Sequence, residues 1–75
     1  MASESYIREF SGQIIGIIET DEKTGDLTAR AWPSRQIVGF YRKKYDYTTD
    51  FYGKVVAKGN SVVNLIYEDR ERRKR

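Results

Sequence analysis

FYGKVVAKGN (residues 51–60) sets an aromatic pair and a glycine ahead of two valines and an alanine. The same cadence occurs twice earlier, in FSGQIIGII (10–18) and WPSRQIVGFY (32–41). In register, Ile14, Ile37 and Val55 share a first position and Ile15, Val38 and Val56 a second. Gly16, Gly39 and Ala57 share a third, and Phe10, Trp32 or Phe51 precedes each turn. The offsets between units are unequal (Gln13 to Gln36, then Gln36 to Lys54), which a solenoid of fixed period would not show. Each unit reads as a hairpin: a polar and aromatic strand, a tight turn, then an apolar strand with a small residue at its middle.

The rest of the chain agrees with that reading. Runs rich in Tyr, Ile, Val, Phe and Thr, at 5–10, 13–19, 27–32, 36–43, 47–52 and 54–58, are separated by Gly, Asp, Ser or Pro. Pro33 cannot donate to a ladder and belongs in a turn, and Gly25 suits a positive φ in the polar loop TDEKTGD (20–26). A glycine inside a strand marks a bulge, a bend or a close approach, so Gly16 and Gly39 are expected at such places. Simple alternation would point Ile14 and Ile18 one way and Ile15 and Ile17 the other. Likewise Val38 and Phe40 would oppose Ile37 and Tyr41. Both faces would then be apolar, and both would need cover.

Only SVVNLIYEDRERRKR (61–75) breaks the rhythm. Gly59-Asn60 is a stop-and-cap pair, and Val62, Leu65 and Ile66 fall at i, i+3 and i+4, which favours a helix. The alternative is a seventh strand, in which Val63, Leu65 and Tyr67 alternate. The expected fold is therefore all-β with a possible C-terminal helix, three consecutive hairpins forming a small curled sheet or barrel. Residues 1–69 form the domain and 70–75 a basic tail that frays.

The residues matched by this pattern, SGQIIGI, SRQIVGFY and YGKVVAKGN, resemble the repeats of small bacterial "beta flower" proteins over about two thirds of the chain. That resemblance implies a curled β fold and supplies no catalytic residues.

Composition narrows function mainly by exclusion. The 75 residues contain no cysteine and no histidine, which removes disulfides, thiolate chemistry, the commonest metal ligand and the usual general base. Asp21, Glu22 and Asp26 do not have the spacing of an EF-hand loop, and Asp46 with Asp50 has no implied pocket to separate two carboxyl pKa values. The chain is expected not to be an enzyme and to carry no cofactor, metal or small-molecule substrate. The start MASESYIREF has no leader pattern, and no apolar run approaches the roughly 20 residues of a membrane span, so a soluble, cytoplasmic protein is expected.

The net charge of +3 is unevenly placed: residues 1–69 hold nine basic and ten acidic residues, whereas 70–75 hold five basic and one acidic. Two candidate surfaces follow. Ile15, Ile17, Val38, Phe40 and Val56 are core or oligomer-interface positions, because a chain of this size cannot cover two apolar faces alone. A homo-oligomeric interaction or self-assembly module is the leading expectation. The alternative is single-stranded RNA or DNA binding. Arg42, Lys43 and Lys44 would contact phosphates with Tyr45 or Tyr47 stacking on bases, helped by Arg70, Arg72, Arg73, Lys74 and Arg75.

Overall fold

A computed structural model describes residues 2–73. Among these, six strands, β1 (Ala2–Arg8), β2 (Ile14–Asp21), β3 (Leu27–Ala31), β4 (Ile37–Arg42), β5 (Tyr47–Asp50) and β6 (Val55–Lys58), precede one helix, α1 (Val62–Arg73). The strands form a single antiparallel sheet in sequence order, with β1 and β6 at its two edges. The three units of the sequence are the hairpins β1–β2, β3–β4 and β5–β6. The sheet is open, so the barrel alternative does not form.

The repeated second position has a defined structural role. Arg8 pairs with Ile14 and Ile7 with Gly16, so Ile15 is an extra residue in the ladder. Val38 is skipped in the same way between the pairs Arg30–Ile37 and Ala29–Gly39. Val56 is skipped between Thr49–Val55 and Thr48–Ala57. All three hairpins thus carry a β-bulge at the same place, which bends the strand and increases its twist.

The bulge corrects the expected split of side chains between faces. Ile15 packs with Ile18, Ala29, Val62 and Ile66, and Val38 and Tyr41 pack against that same cluster. One extra residue shifts the two-residue period, so positions three apart share a face. Ile15, Ile18, Val38 and Tyr41 therefore share the side covered by α1, whereas Ile17 and Phe40 lie on the opposite face.

The small third position is where the helix touches the sheet. A Cβ on Gly16 would meet Ile66 Cγ2 at 2.6 Å and Arg30 O at 2.9 Å. One on Gly39 would collide with Leu65 Cδ1 and Thr49 O. Close approach is thus the reason for these strand glycines, but the approaching groups are aliphatic helix side chains.

The helix begins where Gly59, at φ 76°, turns the chain back over the sheet. Thr48, fully buried, joins its start to β5: its hydroxyl donates to Gly59 O (2.6 Å) and accepts from Ser61 N–H (2.8 Å). Asn60 Oδ1 accepts the Val62 N–H at 3.4 Å, a long capping bond. Val62 and Ile66 are buried on the sheet while Val63 and Tyr67 are exposed, the helical alternative of the sequence reading. At the far end Arg70 pairs with Glu9 (2.6 Å), and Tyr67 Oη–H donates to Arg8 O (3.4 Å). The helix continues past residue 69 to Arg73, so no element boundary separates 1–69 from the first four residues of the tail.

Candidate interaction surfaces

A meander places alternate turns at opposite ends. Loops 22–25 and 43–46, together with the start of α1, lie at one end. Turns 10–12, 32–35 and 51–53 lie at the other, with the helix C-terminus beside Glu9.

The basic loop follows β4. Asp26 anchors it, with Oδ1 accepting Lys43 N–H (2.9 Å) and Oδ2 facing Arg42 Nη1 at 3.4 Å. The Arg42 guanidinium carbon also lies 5.1 Å from the Phe40 ring centre, and Lys44 Nζ lies 5.6 Å from the Tyr45 ring. Tyr45 and Tyr47 stack on each other with centroids 5.4 Å apart, and Lys58 is the cross-strand partner of Tyr47. Across the loop, Tyr41 Oη–H donates to Asp46 Oδ1 (2.7 Å). That bond, with desolvation and the charges of Asp46 and Asp26, raises the phenol pKa above its ordinary 10.0.

The tail cations are elsewhere. Arg70 and Arg72 lie on the last turns of α1, about 1.5 Å per residue along the axis from a helix start that adjoins the basic loop. Arg70 and Arg72 thus lie about 12 and 15 Å along the axis from Val62 at the helix start. Arg73 closes the helix, and Lys74 and Arg75 lie outside the described residues. Among the described residues, the loop cations Arg42, Lys43 and Lys44 and the helix-end cations Arg70 and Arg72 therefore do not form one patch. Lys58 belongs to the loop end, and Lys54 to the opposite turn.

The acidic candidates serve turns. Asp21 Oδ1 accepts Lys23 N–H (2.9 Å) and Thr24 N–H (3.4 Å). Asp50 Oδ1 accepts the N–H groups of Tyr52 and Lys54, both at 2.9 Å. Asp46 and Asp50 stand at the two ends of β5, on different partners.

Of the five core or interface candidates, Ile15 and Ile17 are buried and Val38 packs on the core cluster. Phe40 is half-buried beside Arg42, and Val56 is exposed. Ile17 is 0% exposed on the face away from α1, between its cross-strand neighbours Tyr6 and Arg30. Arg30 is ion-paired to Glu19 there, and Tyr6 meets Trp32 edge-on with centroids 6.0 Å apart. The chain's own polar and aromatic side chains thus flank Ile17 on that face.

One uncovered region is the β6 edge. The helix packs on β2, β3 and β4, leaving Val55 51% and Val56 48% exposed. Phe51 and Tyr52, in the adjoining turn, contact each other edge-on and are also exposed. Val55 was legible only as a strand residue, since no local signal distinguishes an edge strand from an internal one.

Among the described residues, no helix is long and apolar enough to cross a membrane. Comparison of the chain with protein-family models, curated proteins and solved structures found no match to any of the three.

Proposed function

We propose that this chain is a non-enzymatic interaction and self-assembly module that associates through its sheet edges. The observation that carries the reading is the uncovered β6, an edge strand with half-exposed valines and one side of its backbone ladder open. Such an edge is a ready template for another strand, and proteins blunt or cover edges of this kind when no partner is meant to bind. Phe51 and Tyr52 extend the apolar area beyond the strand. The likeness to β-flower repeats belongs to the same proposal and adds no chemistry to it.

Light scattering coupled to size exclusion tests the reading: a mass above that of one chain is expected at micromolar concentration. A mass of 8.8 kDa at all concentrations would remove it.

A second reading rests on the stacked Tyr45–Tyr47 pair beside Lys44 and Lys58. As a single-stranded nucleic-acid contact it predicts binding that weakens steeply with salt. It also predicts little loss on deleting residues 70–75, because Arg70 and Arg72 lie at the other end of the helix. No binding of labelled single-stranded RNA or DNA at low salt removes this reading.

A further inference from the structure

The two sheet edges of the chain complement each other better than either complements itself. Cross-strand pairing defines which residues lie in line across the face opposite α1. One such row runs Glu4, Glu19, Thr28, Phe40, Thr49, Val55, and it begins on β1 and ends on β6. On that face β1 presents Glu4 and Tyr6, and β6 presents Val55 and Lys58. All four side chains are exposed. On the α1 side β1 offers Ser5 and β6 offers Ala57, both small.

We propose that β6 of one copy pairs antiparallel with β1 of a second copy of this chain, head to tail, with Lys58 opposite Glu4, Ala57 opposite Ser5 and Val55 opposite Tyr6. This inference rests on the assembly reading above and names its geometry. Because the side-chain period of a strand is two, only shifts by an even number of residues keep each face on its own side. Pairing Ala57 with Ser3 sets Val55 against the carboxylate of Glu4. Pairing it with Ile7 sets Lys58 against Tyr6 and Val55 against Arg8. The register with Ala57 on Ser5 joins base to acid and aliphatic to aromatic, the favourable cross-strand combinations. It also lets the bulge at Val56 be opposed two-on-one by β1, as β5 already opposes it.

Self-pairing of β6 is the poorer solution. With each face kept on its own side, it sets Lys58 of each copy against Val55 of the other, so neither lysine meets a carboxylate. The head-to-tail contact is heterologous, so every copy has two neighbours and the number of chains is not limited to two.

The absence of native cysteine makes the register directly testable. The double variant Ser5→Cys/Ala57→Cys is treated with a short bis-maleimide, and products are read on a denaturing gel. A ladder of dimer, trimer and larger species is expected. An equimolar mixture of the two single variants should give a dimer-sized band and nothing larger, and neither single variant alone should cross-link. Cross-linking of the Ala57→Cys single variant overturns the proposal in favour of β6–β6 pairing. If wild type is oligomeric by light scattering but the double variant gives no ladder, head-to-tail pairing fails while the assembly reading stands. A monomeric wild type removes both.

A charge swap supplies an arm that needs no cross-linker. Lys58→Glu should weaken association by about two- to five-fold at low salt, the range of exposed ion pairs. Adding Glu4→Lys should restore it. Failure of the second change to restore association counts against the Lys58–Glu4 register.

Discussion

At Gly39 a single missing carbon decides how close a helix can lie. A Cβ there would collide with Leu65 and with the Thr49 carbonyl, one a side chain and the other backbone in an adjacent strand. Gly39→Ala is therefore expected to cost about 1–3 kcal/mol, the range of overpacked cores, measured by urea denaturation. Gly16→Ala should cost less, because its backbone obstacle, Arg30 O, stands farther off at 2.9 Å. Stability equal to wild type in Gly39→Ala would mean that α1 does not lie on β4 as described. Tyr41 gives a pH signature at the same scale. Its hydrogen bond to Asp46 holds the proton, so the folded pKa lies above the unfolded value. The folded state then binds more protons, and the stabilisation is present below about pH 10 and lost as pH rises through the folded pKa. The stability gap between wild type and Tyr41→Phe should accordingly narrow above pH 10. A constant gap would show that the phenol gains nothing from Asp46.

At the scale of elements, α1 illustrates dependence on tertiary contact. Its 12 residues are too few to be stably helical alone in water. A peptide of residues 60–75 should show little helix by circular dichroism, and strong helicity would mean that the sheet is not needed to form it. Within the chain, Ile66→Ala removes a side chain 1% exposed and should cost about 2–5 kcal/mol. Thr48→Val leaves Gly59 O and Ser61 N–H without their shared partner. It should cost about 1–3 kcal/mol even though the shape is conserved. The spacing of Val62, Leu65 and Ile66 made the helix legible, and the three small or glycine-centred strands made the hairpins legible. Thr48 was not legible as a clamp, since a threonine in a strand gives no local sign of which buried backbone groups it will serve. The bulges were half legible. Glycine marked their neighbourhood, but the skipped residue is the branched one before it, and only the pairing partner reveals the skip.

For the molecule as a whole, what matters is where uncovered surface remains. Alternation had assigned apolar residues to two faces and so called for a partner over a face. The bulges gather Ile15 and Val38 under α1, and Ile17 on the other face is already 0% exposed within the chain, whereas Val55 and Val56 at the β6 edge are exposed. Val55→Lys with Val56→Lys should therefore abolish association in light scattering while leaving the thermal midpoint nearly unchanged, since both side chains are half-exposed. Loss of folding in that variant would show instead that the valines belong to the protomer's own core. The basic residues form two separate runs along the sequence, at 42–44 and 70–75, but their placement in space is not legible there. Loop 43–46 and the end of α1 lie at opposite ends because an even number of strands precedes the helix and α1 runs back along the sheet.

The sequence by itself determined the local elements: three hairpins from turn residues and β-branched runs, the helix from its i, i+3, i+4 spacing, and no histidine or cysteine chemistry. These are properties of neighbouring residues, and near-neighbour sterics and periodicity are enough to set them. Tertiary structure alone decided which faces are dry, which glycines carry the helix, and which strand is left at an edge. Those depend on the pairing register, where one extra residue per hairpin moves a side chain to the other face, and no short stretch of chain holds that information.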